Sequence, residues 1–234
     1  MNVEQIFNIL LLTDWLALVG FFIAWIAYAW YAGTGANKRA SLLHATNRCR
    51  HAWLVQTTYR DPRMVDSTIT QMLSTTPSFF SSTTILVIGG LLALLGTSDK
   101  AVELAREIPF VARTSSLVFD VKIITLIVIF VFAFFRFSWS MRQYTFVALM
   151  IGGMPPQEAF LKDEAWREVY ATKAAKLVAL AAESFNDGLR AYYFAFAVAA
   201  WFVSPLAFAG ATAVVVAILY RREFKSEVLA VLEG

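Results

Sequence analysis

Basic and hydroxyl side chains gather where the first long connector meets the second apolar run. Arg60 and Arg63 lie upstream of residues 74–84, which include eight serines and threonines. We expect Pro77 to begin a helix here, because its missing N–H is tolerated in a first turn. The unpaired N–H groups and positive dipole end of that turn would favour an anion. The hydroxyl groups predicted to line the anion path are those of Ser81, Ser82, Thr83 and Thr84.

The same residues also have a structural interpretation. The hydroxyl groups could cap a helix, bond to carbonyls four residues earlier or bridge helices, while the arginines contact anionic headgroups. Small residues recur along one face of this predicted helix, and such a face lets another backbone approach closely, either within one chain or between subunits. The residues of this helix-packing seam are Ser82, Gly89, Ala93 and Gly96.

Arg136 is the strongest ionisable candidate inside an apolar run. Charged residues within a membrane span are functional hypotheses by default, because burying them is costly. We therefore add Arg136 to the predicted anion path, with Asp61, Asp66 or Asp187 as its possible partner. In the alternative interpretation, its long stem reaches the membrane interface.

The sequence offers little support for other chemistry. His44, Cys49 and His51 lie close together, but no Cys-x-x-Cys or His-x-x-x-His pair is present, so we predict no metal site. No dinucleotide-binding, Walker or nucleophile-elbow motif occurs, so we predict no catalytic residue, no cofactor and no enzymatic activity. The 20 basic and 17 acidic residues are too nearly balanced to indicate nucleic-acid binding.

The composition indicates an integral membrane protein. The 234 residues are 59% hydrophobic and 16% charged, whereas a soluble domain has roughly 25% charged residues. Uncharged stretches of 23, 32 and 30 residues follow Asp14, Asp66 and Arg190. Each is long enough for a helix to cross the hydrocarbon core, which takes about 20 residues.

We predict an all-α membrane protein that forms one domain over residues 1–234. Pro205 lies in the middle of the last predicted crossing, where we expect a kink, with a re-entrant hairpin as the alternative. Asn37 is expected to cap a helix that runs to about Thr58, and Asp61 and Pro62 mark a turn. The four predicted crossings are about 14–31, 79–96, 121–141 and 191–220, and the predicted cytoplasmic helical segments are about 37–76 and 156–188.

The loops predict the direction of insertion. Residues 33–78 hold six basic and two acidic side chains, whereas the residues before the first crossing hold no Lys or Arg. By the positive-inside rule, the first connector is cytoplasmic and the N-terminus lies outside. With only four crossings, the basic residues at 221–225 would then lie outside, against the same rule.

A set of residues between positions 47 and 90 carries a family resemblance. Asn47, Arg50 and Trp53 form an Asn-x-x-Arg-x-x-Trp element, residues 60–63 form an Arg-Asp-x-Arg turn, and residues 79–90 combine Phe-Phe, hydroxyl and Gly-Gly positions. In these features the sequence resembles an uncharacterised bacterial family of multi-pass inner-membrane proteins, domain of unknown function 599. The resemblance implies a bacterial inner-membrane location and supplies no activity.

Two functional hypotheses follow. The first is a homo-oligomeric channel or transporter for a small anion, with its pore between subunits because four helices leave little room for an internal aqueous path. The second is a structural or accessory subunit of a membrane assembly. The expected partners are the lipid bilayer, further copies of the chain and a larger membrane complex, with no nucleic acid.

Overall fold

The computed structural model describes residues 10–35, 41–98, 102–103 and 115–233. The elements in these residues are all helices, and four of them are long and apolar enough to cross a membrane. The predictions of an all-α protein and of about four such helices are therefore confirmed. The helices are α1 (Leu12–Gly35), α2 (Leu42–Thr57), α3 (Met64–Leu95), α4 (Ser116–Gly152), α5 (Gln157–Leu161), α6 (Glu164–Ala200), α7 (Pro205–Phe224) and α8 (Glu227–Glu233).

Short polar side chains fix the starts of three helices. Ser41, Asp163 and Ser204 each accept a hydrogen bond from the backbone N–H three residues further on, at 3.2, 2.9 and 3.0 Å. These bonds satisfy N–H groups that have no partner within the helix. Pro205 follows its cap directly, at a position where no N–H is needed. The sequence therefore defines where α2, α6 and α7 begin.

Successive long helices run in opposite directions, so α1, α4 and α7 run one way and α3 and α6 the other. At one end, Lys122 Nζ of α4 donates to the Trp201 carbonyl after α6 at 2.9 Å, and Trp201 Nε1 donates to Asp14 Oδ1 of α1 at 2.6 Å. We call this the Asp14 end. The helices α2, α5 and α8 lie at the opposite end, which we call the α2 end.

The second half of α6 occupies the centre of the bundle. Phe194 packs against Phe21 of α1, with 5.5 Å between the ring centroids, and the Tyr192 hydroxyl hydrogen-bonds to Thr84 Oγ1 of α3 at 2.8 Å. The helices α4 and α7 pack along it. Protein therefore covers most of this half of α6, although Phe196 stays 71% exposed. A helix in that position can carry charged residues that a lipid-facing helix would exclude.

The prediction that Pro77 begins a helix is wrong. Helix α3 starts at Met64 and continues through Pro77, which is buried inside it. Helices at membrane depth tolerate proline when hydroxyl side chains and neighbouring helices satisfy the freed carbonyl groups. Because residues 78–84 lie in the interior of α3, they do not form the positive end of a helix, and that part of the argument for an anion path is lost.

The predicted fourth crossing, residues 191–220, consists of two helices. Helix α6 ends at Ala200, and α7 begins at Pro205 and runs back antiparallel to it. The prediction of one kinked helix is therefore wrong. Helix α7 alone has 20 residues, or about 30 Å at ~1.5 Å per residue, which is enough to span a bilayer. The basic residues at 221–225 thus return to the α2 end, which removes the conflict with the charge rule.

The segments at the α2 end largely follow the sequence pattern. Helix α2 ends at Thr57, and the predicted turn contains a cis Asp61–Pro62 bond. Asn37, the predicted cap, lies outside the described residues, and Ser41 caps α2. The predicted segment 156–188 divides into α5 and the first half of α6, which continues without a break into the centre of the bundle.

Candidate functional site

A polar cavity of about 170 Å³ opens at the α2 end between α1, α2, α6 and α7. Three arginines and one glutamate contribute to its wall, and four leucines complete it. We call it the basic cavity. Its polar lining consists of Tyr28, Thr46, Arg50, Asn186, Arg190, Tyr193, Arg222 and Glu223, and its leucines are Leu42, Leu43, Leu189 and Leu219.

Helix α2 supplies Arg50 and positions it. Arg50 Nη1 donates to Thr46 Oγ1 at 3.1 Å and to Asn47 Oδ1 at 2.5 Å. Both partners lie one turn earlier on α2, so the helical repeat aligns them with the guanidinium. Burial lowers the pKa of Arg50 from its ordinary value, and an arginine remains charged at neutral pH. The cavity therefore has a fixed positive group on its α2 side.

The other two arginines of the basic cavity come from α6 and α7. Arg190 Nη1 donates to Asp187 Oδ1 at 2.9 Å, and its guanidinium carbon lies 5.9 Å from the centre of the Tyr28 ring. Arg222 Nη1 donates to the Tyr193 hydroxyl, and its guanidinium carbon lies 5.3 Å from the centre of that ring. Aromatic faces attract guanidinium groups, so both rings hold their arginine in place.

Glu223 is already engaged by the protein backbone. Its Oε1 accepts a hydrogen bond from the Leu43 N–H at 3.0 Å, which joins the end of α7 to the first turn of α2. The lining therefore contains three positive groups and one negative group. Because a guanidinium presents five donors in a fork that matches carboxylate and phosphate, this wall is suited to an anion.

An ion-pair network lies beside the basic cavity. Arg136 of α4 pairs with Asp187 of α6, which is also paired with Arg190, so two cations share one carboxylate. The prediction offered three acidic partners for Arg136, and the structure selects Asp187. Gly188 makes this approach possible, because a Cβ atom there would lie 2.5 Å from the Phe137 ring. The close packing of α4 and α6 therefore depends on this glycine.

Arg60 and Arg63, predicted on the anion path, both engage protein groups. Arg63 donates to the carbonyls of Met154 and Pro155 at 3.1 and 2.7 Å, and only 11% of its side chain is exposed. Arg60 pairs with Asp66 at 2.8 Å while 42% of its side chain stays exposed. Arg63 thus fastens the turn before α3 to the loop after α4, and neither side chain lines the basic cavity.

Asp66 organises the junction between α2 and α3. Its Oδ1 accepts hydrogen bonds from Trp53 Nε1, Thr57 Oγ1 and Arg60 Nη1, each at 2.8 Å. The carboxylate is fully buried, and a buried charge is stable only when it is paired and hydrogen-bonded. Several residues of the Asn-x-x-Arg-x-x-Trp and Arg-Asp-x-Arg elements therefore have structural partners at this junction.

The predicted hydroxyl ligands divide between helix contacts and exposed positions. Ser81 hydrogen-bonds to Ser138 of α4 at 3.0 Å, and Thr84 donates to the Phe80 carbonyl besides contacting α6. Ser82 is exposed and Thr83 is half-buried. For Ser81 and Thr84, the geometry is that of the structural interpretation, in which hydroxyl groups bridge helices.

The helix-packing seam faces away from the rest of the chain. Ser82, Gly89, Ala93 and Gly96 are all exposed. A Cβ atom at Gly89 would meet no atom within 4 Å. Within the described part of the chain, this seam therefore packs no neighbouring helix.

Sequence reasoning missed the basic cavity. Its polar residues come from positions as far apart as 28 and 223, and in the sequence Arg190 and Arg222 only flank an apolar run. The sequence does contain a signal for this arrangement: Ser204 followed by Pro205 is the cap and first residue typical of a new helix. A new helix at that point returns the chain to the α2 end. That reading places residues 221–225 beside α2.

In the residues that the structure describes, the long helices α1, α3, α4, α6 and α7 form a core with apolar outer faces and a basic cavity at one end. This arrangement defines a multi-pass α-helical membrane protein. The chain belongs to the family described as protein of unknown function DUF599, whose profile matches residues 16–228. No curated protein and no solved structure matches it. The predicted family is therefore confirmed, and its description assigns no activity.

Proposed function

We propose that this protein binds a small anion in the basic cavity and carries it across the membrane as a channel or transporter. The observation that carries the proposal is the wall of the cavity, where Arg50, Arg190 and Arg222 outnumber the single carboxylate of Glu223. Hydrogen bonds or ring contacts within the chain orient all three guanidinium groups, so a bound anion meets preorganised donors. The proposed site thus differs from the path through Arg60 and Arg63.

Flux measurements in proteoliposomes test this proposal. Replacing Arg50 and Arg222 together by Gln should reduce anion flux by about tenfold or more, because each is a charge-assisted donor. Arg48→Gln is the matched control, since Arg48 lies on α2 with 54% of its side chain exposed and does not line the cavity. Equal losses in both variants, or no flux in the parent protein, would refute the proposal. A loss confined to Arg60→Gln would instead support the path predicted from sequence.

The α2 end is proposed to face the cytoplasm of a bacterial inner membrane, which leaves the N-terminus outside. This end holds most of the basic residues that lie in α2, in the first half of α6 and after α7. The connector between α3 and α4, at the other end, carries three basic and three acidic residues. This asymmetry is the one that the positive-inside rule describes.

Cys49 allows a direct test of sidedness, because it is the only cysteine of the chain and is exposed on α2. A membrane-impermeant maleimide should leave it unmodified in intact cells and modify it after permeabilisation. In a Cys49→Ser background, Ser115→Cys at the start of α4 should be modified in intact cells. The reverse pattern would invert the proposed orientation.

A second candidate function, assembly with itself or with a larger membrane complex, is favoured by the exposed helix-packing seam of α3. Small residues are typical of close helix contacts in membranes. Gly89→Leu should lower the native mass of the detergent-purified protein if copies associate there. Gly20→Leu is the control, since Gly20 also meets no atom within 4 Å. A parent protein that is already monomeric would exclude both self-association and a pore between subunits.

A further inference from the structure

An apolar groove runs along the outside of the bundle between α1 and α4. Its volume is about 470 Å³, and almost all of its surface is carbon. Trp25, one of its lining residues, stacks on Phe194 of α6 with 5.2 Å between the ring centroids, so α6 lies behind this part of the wall. The other lining residues are Phe22, Ile26, Ala29 and Trp30 from α1 and Val128, Ile129 and Phe132 from α4.

Arg136 lies at the α2 end of this groove. It follows Ile129 and Phe132 at helical spacings of seven and four residues, so the three side chains share one face of α4. The Arg136 side chain is 30% exposed, and its Nε is buried without a hydrogen-bond partner. The exposed part of this guanidinium can donate to a bound anion.

The charge around Arg136 is unbalanced. Asp187 is shared between Arg136 and Arg190, so this group of three ionised side chains has an excess of one positive charge. Such an excess at the edge of a membrane attracts anionic headgroups. Trp30, which is 71% exposed at the same end of α1, is typical of side chains at headgroup level.

We propose that the groove between α1 and α4 binds one acyl chain of an anionic phospholipid, whose phosphate contacts Arg136. The groove provides the apolar surface, and the excess positive charge at its end selects the headgroup. From Phe22 to Trp30 the groove follows α1 for roughly 12 Å at ~1.5 Å per residue. The groove and the basic cavity have no lining residue in common. They are linked only through Asp187, which pairs with both Arg136 and Arg190.

Native mass spectrometry of the detergent-purified full chain tests the proposal, with phosphatidylglycerol and phosphatidylcholine of identical acyl chains as probes. The parent protein should prefer phosphatidylglycerol, and Arg136→Gln should reduce that preference by about tenfold. Asp187 keeps its contact with Arg190 in this variant. Arg142→Gln is the charge control, because Arg142 is exposed on the same helix, and it should leave the preference unchanged.

A second pair of variants tests the groove without changing a charge. Ala29→Phe fills the groove and should weaken the binding of both lipids by a similar factor. Ala27→Phe, at an exposed position outside the groove, should leave the binding of both lipids unchanged. Unchanged lipid binding in Ala29→Phe, or an equal loss of preference in Arg136→Gln and Arg142→Gln, would overturn the proposal. If inorganic phosphate raised the unfolding temperature as much as phosphatidylglycerol does, the proposal that the ligand is a lipid would be overturned.

Discussion

The contact between Gly188 and Phe137 gives a prediction whose sign depends on two opposing effects. An alanine at position 188 adds a Cβ atom 2.5–2.8 Å from three carbons of the Phe137 ring, which is fully buried. Overpacking of this kind costs about 1–3 kcal/mol. The better helix propensity of alanine returns about 1 kcal/mol. We therefore expect Gly188→Ala to lower the free energy of unfolding by up to about 2 kcal/mol.

The measurement is a denaturing-detergent titration followed by tryptophan fluorescence. Gly20→Ala serves as the control, because a Cβ atom there meets no atom within 4 Å, and it should leave the protein equally stable or slightly more stable. Phe137→Leu should partly restore stability in the Gly188→Ala background, since the smaller side chain makes room for the methyl group. A Gly188→Ala protein as stable as the Gly20→Ala protein would refute the argument that this glycine sets the distance between α4 and α6.

Three further predictions concern single polar contacts. Asp66→Asn should destabilise the protein by about 3 kcal/mol in the same titration, because it leaves the donors around a buried carboxylate poorly paired. Arg60→Gln should cost less, because Trp53 and Thr57 still donate to Asp66 and 42% of the Arg60 side chain is exposed. Equal costs would contradict this account. Burial raises the pKa of Tyr170 above its usual 10.0, so its neutral phenol contributes stability that is lost as the pH rises through the folded-state pKa. Tyr170→Phe should therefore flatten the pH dependence of the free energy of unfolding above pH 10. An unchanged pH dependence would refute the assignment to Tyr170. Asp14→Leu should shift the fluorescence emission of Trp201, because it removes the acceptor of the Trp201 Nε1 hydrogen bond. Asp14→Asn keeps an oxygen at that place and should shift the emission less. Equal shifts would show that this hydrogen bond does not determine the emission.

Long apolar helices were the most predictable part of this protein. A long apolar run forms a helix in hydrocarbon because its backbone groups must be paired within the segment, so residues 14–31 and 121–141 coincide with parts of α1 and α4. Proline was less informative, because its effect depends on what surrounds it. Pro77 lies inside a helix whose neighbours tolerate it, whereas Pro205 follows a capping serine and begins one.

The centre of the bundle was the least predictable part. The second half of α6 carries Asp187 and Arg190, and a hydropathy argument reads such charges as a boundary between water and membrane. In the fold these charges meet Arg136 and Tyr28 from other helices, so the segment is suited to protein neighbours rather than to lipid. The sequence of α6 alone does not show these pairings, because the partner residues lie far away in the chain.

The position of α6 also has a consequence for the order in which the bundle forms. A ribosome makes α1, α3 and α4 before α6, so the outer helices enter the bilayer before the helix around which they pack. Until then, Arg136 has no carboxylate from α6 to pair with, and Phe21 and Phe137 have no central helix to cover them. The late entry of α6 and α7 as a hairpin is thus the step that converts separate membrane helices into a single folded body.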